Sequence, residues 1–320
     1  PYVFLTVRGV LENADPSLED AARMSGAGTW HVLRDVSLPL MRSAILSSAG
    51  LVFMVTASAF GAPALIGTVA REPVLSTLIF EELQAGGPDA MPRAAGLSCL
   101  LLGFVLLPLL LRSAAHATLG GKAARRTVLP LGRLRFGLGA LLLLFVFVAI
   151  VLPAFAVVVS SFLRVGSELA FSNLTFEHFR LLTRGDTLDS VLTSLWLAAL
   201  AATAAVLLGG VVAYFRTRTR VAGRRTLAAL TALPLATPGT VLAIGLILLW
   251  SGVGLSNTVW ILAIAYVAKD AALASRAVGE GLSTVDPALP DAARMSGARG
   301  VFLTRTIWVP LILPSLMAGW

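Results

Sequence analysis

Charge is scarce in this sequence. Asp, Glu, Lys and Arg make up 13% of its 320 residues, about half the quarter typical of soluble domains. A soluble domain needs that polar surface to cover its interior, yet 57% of the residues are apolar before the 29 glycines are added. The shortage excludes an ordinary globular enzyme. Disorder is excluded too, because it requires low hydrophobicity. Mean hydropathy is +0.86, which leaves an all-α polytopic membrane protein, so that length counts crossings rather than domains. Cysteine is nearly absent: Cys99 stands alone in an apolar stretch, which rules out an internal disulfide and suits a small packing residue. Residues 1–7 lack the basic start of a signal peptide. The chain begins at Pro1 and ends at Trp320 inside an apolar run, and it reads as an internal piece of a longer protein.

What the sequence does have is long charge-free runs, at residues 43–70, 94–111, 136–163, 190–215 and 226–268. About 20 helical residues cross a hydrocarbon core. The last run has 43 residues, about 64 Å of helix at 1.5 Å per residue, and reads as two crossings. Ser251-Gly252-Val253-Gly254-Leu255-Ser256-Asn257 supplies the turn between them. The expected spans are about 43–62, 94–111, 136–162, 190–214, 226–250 and 257–275, with a further one starting at 311–320.

Acidic residues are missing from two loops. Residues 112–135 carry Arg112, Lys122, Arg125, Arg126, Arg133 and Arg135, and residues 216–225 carry Arg216, Arg218, Arg220, Arg224 and Arg225. The loops at 71–92 and 164–189 mix both signs. Basic loops face the cytoplasm. Threading the spans from that anchor places residues 8–42 and 269–305 on the cytoplasmic side as well. The net charge of +8 is then a matter of lipid topology, and no nucleic-acid partner is expected.

Those two cytoplasmic segments are copies of one another. Asp15-Pro16-Ser17-Leu18-Glu19-Asp20-Ala21-Ala22-Arg23-Met24-Ser25-Gly26-Ala27 recurs as Asp286-Pro287-Ala288-Leu289-Pro290-Asp291-Ala292-Ala293-Arg294-Met295-Ser296-Gly297-Ala298, 271 residues later. Eight consecutive residues are identical. The match continues to Arg34/Arg305 and to Pro39-Leu40/Pro310-Leu311. A period this long indicates two fused halves rather than a solenoid. Equal orientation implies a pseudo-two-fold along the membrane normal. We divide the chain at 1–130 and 131–320: the end of a first half, with its repeated loop at 12–42, and a second half with its loop at 283–310.

Each copy reads as a short helix. Asp15 is a good N-cap and Pro16 suits the first helical position. Leu18, Ala21, Ala22 and Ser25 fall on one shallow face. Gly26 can end the helix in a left-handed conformation. Pro290, standing where the first copy has Glu19, is expected to delay or distort the second helix.

Asp-Ala-Ala-x-x-x-Gly followed by Val36-Ser37-Leu38-Pro39, and again by Ile307-Trp308-Val309-Pro310, resembles the EAA loop of binding-protein-dependent ABC importer permeases. Asp20 and Asp291 stand for the family's Glu. Two loops in one chain resemble the fused permeases of the ferric-iron importer group, as do Phe60-Gly61-Ala62-Pro63-Ala64-Leu65-Ile66-Gly67 and the segment from Leu233 to Gly245. Thiamine, phosphonate, polyamine and sulfate permeases are relatives. The resemblance implies a multi-pass bacterial inner-membrane subunit, without catalysis of its own, that couples to cytoplasmic ATPase subunits, expected as a dimer. A periplasmic or extracellular binding protein delivers the substrate from the opposite side. Asp20, Ala21, Ala22, Gly26, Asp291, Ala292, Ala293 and Gly297 carry the docking by position, and ferric iron is the implied substrate.

Other chemistry is missing. Gly120-Gly121-Lys122-Ala123 lacks the phosphate-loop spacing. His31, His116 and His178 fall in separate loops, so no metal site is expected, and no cofactor or catalytic residue is expected either. Lys269-Asp270 is expected to end a span as an interfacial anchor. Arg71, Glu72, Glu81 and Glu82 are external, on a solvated face or facing the binding protein. Candidates for the substrate path are the polar Thr56 and Ser58, and Pro238-Gly239, which with Pro234 either kinks a span or breaks it near the path. An ATP-independent secondary transporter is the alternative of another class. It would need intramembrane ionisable groups that the runs do not contain. A membrane scaffold that recruits an ATPase is a third reading.

Overall fold

A computed structural model describes residues 2–111, 134–164, 173–180, 185–255, 258–286, 288–298 and 300–320. Most of the basic loop at 112–135, with His116 and Gly120-Gly121-Lys122-Ala123, lies outside the described residues. Among them the chain is almost entirely helical, with one isolated bridge between Leu163 and Leu174.

The order is α1 (Tyr2–Asn13), α2 (Ser17–Met24), α3 (Thr29–Val32), α4 (Leu38–Ala57), α5 (Gly61–Ala70), α6 (Leu75–Ala85), α7 (Ala90–Leu111), α8 (Leu134–Val146), α9 (Leu152–Phe162) and α10 (Glu177–Arg180). There follow α11 (Gly185–Arg218), α12 (Arg224–Ala236), α13 (Gly239–Trp250), α14 (Val259–Thr284), α15 (Ala288–Met295), α16 (Gly300–Leu303) and α17 (Val309–Gly319). Among the described residues four helical stretches are long and apolar enough to cross a membrane: Thr29–Ala57, Ala90–Pro108, Leu134–Phe162 and Gly185–Arg218. The protein is thus a polytopic helical membrane protein.

Among the described residues three π-helical turns interrupt the helices, at Leu33–Ser37, Phe147–Val151 and Thr304–Trp308. Each lies just ahead of a proline: Pro39, Pro153 and Pro310. Proline removes the bond to the carbonyl four residues back and pushes against it. That carbonyl belongs to Asp35, Ala149 or Thr306, inside the π turn in every case. The wider turn lets the helix continue past the proline.

Two spans differ from expectation. Where one helix is expected over 43–62, α4 stops at Ala57 and α5 starts at Gly61. The Ser76 hydroxyl ties the break by donating to the Ala59 carbonyl at 2.7 Å, and Phe60 packs edge-on against Phe80. Where one span is expected over 226–250, α12 and the helix following it are bent by 108°. Thr237 and Pro238 are extended there, with ψ of 129° and 139°. The residue before a proline avoids helical geometry, and Pro238 itself follows suit. Pro234, by contrast, sits inside α12 without breaking it.

The chain divides into two compact units. Residues 1–124 and 197–320 form the first, and residues 125–196 the second. In the first, one apolar cluster joins Met54, Ile79, Ala94, Leu101 and Val105 to Ile244 of α13, so helices from both ends of the sequence share a core. A second cluster holds Ala213, Val278, Leu282, Val285, Leu303, Trp308 and Ile312. α11 crosses α14 closely at Gly209, where a Cβ would stand 2.7 Å from both Ala271 O and Ser275 N. In the second unit the α8–α9 stretch buries no side chain, as suits a helix solvated by lipid. Phe162, Phe176 and Phe179 form an aromatic group there, and His178 Nε2 lies 2.9 Å from the Leu163 carbonyl oxygen.

Candidate coupling elements and substrate path

The repeat in sequence is a repeat in backbone, element by element. α2 and α15 have eight residues each, α3 and α16 four, and the π turns five, all in the same register 271 residues apart. α1 packs against α4, and α14 packs against α17. A helix therefore enters and a helix leaves each copy as a packed pair.

Both short helices start and stop in the same way. Asp15 Oδ1 accepts from the Ser17 amide at 2.9 Å, and Asp286 Oδ1 accepts from the Ala288 amide at 2.9 Å. The Ser17 backbone N–H, and then its hydroxyl, hold the Asp15 carboxyl below its usual range. A lowered carboxyl pKa favours the folded cap at neutral pH, and that contribution is lost as pH falls through the lowered value. Pro290 does not delay the second helix, contrary to expectation. It sits in the first turn, where its missing N–H would have had no helical acceptor.

At the far end Gly26 and Gly297 adopt φ of +85° and +87°. The Ala27 amide bonds to Ala22 O at 3.0 Å and the Gly26 amide to Arg23 O at 2.9 Å. Ala298 and Gly297 repeat this with Ala293 and Arg294 at 2.9 and 3.0 Å. This is the paired-bond terminator that a left-handed residue permits.

The outward face is the same in both copies. Met24 is 89% exposed and Met295 91%, beside Leu18 at 46% and Leu289 at 49%. Asp20, Ala21, Asp291 and Ala292 are exposed with them, whereas Ala22 and Ala293 turn partly inward. The expected face is thus rotated: methionine belongs to it and the second alanine of each pair does not. Ala293 and Ala298 pack against the Trp308 cluster. An open concavity of about 460 Å³ lies beside Ser296, Gly297 and Phe302.

The copies differ in how they are braced. In the first, Ser37 donates its hydroxyl to Glu19 Oε1 at 2.8 Å. The equivalent positions in the second are Pro290 and Trp308, both buried. There Arg218, at the end of α11, donates to the carbonyls of Leu282 and, at 2.6 Å, Val285. Its guanidinium lies 5.0 Å from the Trp308 ring centroid. The Arg218 brace depends on tertiary placement and left no local mark in the sequence.

The path candidates separate. Thr56 is exposed on α4, and the Ser58 hydroxyl is donated to its own helix, to Met54 O at 2.7 Å. Pro238 is fully buried at the 108° break, with Gly239 opening α13. Lys269, expected at the end of a span, lies within α14, which runs on without interruption to Thr284. A Cβ at Gly239 would be 3.3 Å from its ammonium.

Comparison with known proteins agrees with this geometry. Residues 1–118 match the family described as binding-protein-dependent transport system inner membrane component. A probable ABC transporter permease protein, y4fN of Sinorhizobium fredii, is 29% identical over 346 residues, covering 99% of this chain and 58% of the relative. The ferric transport system permease protein FbpB of Actinobacillus pleuropneumoniae is 28% identical over 335 residues, covering 100% of this chain and 47% of the relative. The spermidine/putrescine transport system permease protein PotC of Haemophilus influenzae is 28% identical over 187 residues, covering 58% of this chain and 73% of the relative. The chain spans about half the length of the curated relatives that align along nearly all of it. Over its first 118 residues, and through relatives aligned along nearly all of it, the chain is similar to the inner-membrane permeases of binding-protein-dependent ABC transport systems.

Proposed function

We propose that the chain forms part of the substrate pathway of an ATP-driven importer and that ferric iron is the cargo. The duplicated coupling geometry carries this reading. Two eight-residue helices with the same caps and the same exposed Leu-Ala-Met face suit a partner that is itself two-fold, such as a pair of ATPase subunits. Closure of those subunits would move α2 and α15 together and rock two pseudo-symmetric halves, divided near residue 130. Asp20, Ala21, Gly26, Asp291, Ala292 and Gly297 act at the contact, and Ala22 and Ala293 seat each helix on the body. A binding protein delivers the cargo from the other side. Hydrolysis belongs to the ATPase subunits.

Iron is favoured because the ferric relative aligns along the whole chain, whereas the polyamine relative aligns along 58% of it. That second match supports polyamine import as the second reading. Uptake of radiolabelled ferric iron against radiolabelled spermidine, in cells expressing the complete transporter, decides between them. Iron uptake is expected, and uptake of spermidine alone overturns the assignment.

Coupling is tested at the two glycines. Open space surrounds a Cβ at Gly26 and at Gly297, so a side chain meets backbone strain but no clash. That strain is about 1–2 kcal/mol per site. The combined Gly26→Trp and Gly297→Trp protein is expected to insert normally and to lose about tenfold or more in co-purification with the ATPase, the change that 1.4 kcal/mol produces. Substrate uptake falls with it. Full uptake by the double variant overturns the coupling assignment.

A further inference from the structure

We infer that the break between α12 and α13 is an anion-binding station on the cargo route, built from the first turn of α13, Lys269 and Thr240. The inference rests on the importer reading for its place on a route, but the anion site itself does not.

α13 runs for 12 residues from Gly239. Its first turn offers the amides of Gly239, Thr240 and Val241, which have no acceptor within the helix. The first helical bond is from the Leu242 amide to Pro238 O at 2.9 Å. Pro238 at the cap has no N–H to offer and no side-chain acceptor to lend. The turn is therefore a bare positive helix end.

Lys269 comes to the same place from α14. Its ammonium would be 3.3 Å from a Cβ at Gly239, so it lies against the backbone of this turn. A full positive charge thus sits beside a partial one. Among the described residues no carboxylate forms an ion pair with Lys269. The side chain is partly buried, in a stretch of α14 that is apolar up to it. Lysine is also rare here: the chain has 2 lysines and 23 arginines.

The third observation is Thr240, in the same turn. Its hydroxyl oxygen is sealed from solvent and has no hydrogen-bond partner. The free amides and the ammonium favour a negatively charged oxygen, and the unpaired hydroxyl of the same turn has a bond to donate. Helix N-termini bind such groups, and broken helices of transporters aim them at anionic cargo. The break also lies where the two ends of the sequence meet, since Val241 and Ile244 pack with Ile79, Ala94 and Leu101.

The cargo class that fits is an oxyanion, a carboxylate, or a metal whose ligands carry negative charge. A ferric chelate with carboxylate or phosphate ligands qualifies, and a polyamine does not.

The probe is acylation of Lys269 by an amine-reactive ester, read by peptide mass spectrometry on the full-length permease in maltoside, without lipid. A bound anion covers the ammonium and shields it from the ester. Citrate or orthophosphate is expected to slow labelling of Lys269 by about fivefold or more, leaving Lys122 unchanged. A quaternary diammonium salt, which has no amine for the ester to acylate, gives no protection, and Thr240→Ala weakens the protection by citrate. The inference is overturned if no anion protects Lys269, which leaves its ammonium to serve the free carbonyls at the end of α12. Equal slowing at both lysines overturns it as a general salt effect. Protection only after reconstitution with phospholipid, and none by soluble anions, assigns the site to a lipid headgroup and overturns the cargo role. In proteoliposomes with the ATPase and binding protein, Lys269→Gln is expected to lower ferric citrate uptake about tenfold and Lys269→Arg to retain most of it. Undiminished uptake by Lys269→Gln also overturns the cargo role. If labelling is protected while wild-type protein transports nothing, the importer reading has failed and the anion site stands.

Discussion

Gly209→Ala destabilises the protein by about 3 kcal/mol, toward the upper end of what one added methyl costs in a filled interior. Neighbouring Gly210→Ala leaves stability unchanged or raises it by up to about 1 kcal/mol, the usual gain from replacing helical glycine. The contrast comes from what each new Cβ meets. At Gly209 it stands 2.7 Å from Ala271 O and Ser275 N and 3.0 Å from the Ala274 Cβ. Two of those atoms are backbone inside α14 and cannot rotate away, so α11 and α14 must separate. At Gly210 the nearest atom is Val278 Cγ1 at 3.9 Å, an ordinary contact.

Small residues continue the crossing along α11. Ala201, Ala205 and Ala213 are buried at four-residue spacing from Gly209, the pattern that lets membrane helices approach without a hydrophobic driving force. Prising the helices apart at Gly209 loosens contacts along that row, including Ala205 and Val206 against Ala274. Thermal unfolding of the two purified variants, side by side in one detergent, checks this. Equal midpoints for Gly209→Ala and Gly210→Ala would show that the crossing is not tight.

Much of this architecture was legible in the sequence because its causes are local. The charge-free runs at 94–111, 136–163 and 190–215 each fill one long helical stretch, where length and apolarity suffice, whereas those at 43–70 and 226–268 are interrupted. The left-handed termini of α2 and α15 follow from a glycine placed after eight helical residues, and the N-caps follow from Asp-Pro. The repeat of sequence carried through to the π turns, since Pro39 and Pro310 recur with it. The bends were harder to read. Pro108, Pro234 and Pro314 all remain inside helices, and only Pro238 stands at a large break. What distinguishes it is the extended Thr237 before it and the glycine after, together with a buried location that holds the bend. No spacing rule reports that Lys269 reaches Gly239 across 30 residues, or that Arg218 reaches Val285 across 67. Those pairings exist only once α11, α13 and α14 are packed. The outward methionines were in plain view within the identical stretch, but the expected face was drawn one position off, and only the seating of Ala293 against the Trp308 cluster fixes the rotation.

Arg218→Ala is expected to reduce substrate uptake about tenfold while leaving the ATPase subunit able to bind. The residue touches none of the outward face of α15. It holds the frame on which that helix is mounted. Its guanidinium donates to the carbonyls of Leu282, in the last turn of α14, and Val285, the residue after that helix, and lies over Trp308, within the repeat loop at 283–310. Tyr214, one turn earlier on α11, meets the same indole edge-on with ring centroids 6.0 Å apart. One side chain thus ties the end of α11 to both strands of chain that flank α15. Bonds from a charged donor contribute about 1.5–3 kcal/mol each, and the ring contact adds about 0.5–1 kcal/mol. After truncation α15 keeps its caps and its exposed face, so docking persists, but the helix can yield under load instead of transmitting it. Arg218→Lys keeps the charge without the planar fork that serves two carbonyls, and should fall between alanine and wild type. The measurement is the ratio of cargo transported to ATP hydrolysed in proteoliposomes, with ATPase co-purification as control. A lowered ratio with intact co-purification is the expected result. Loss of co-purification itself would move Arg218 to the docking surface, and an unchanged ratio would remove it from coupling altogether.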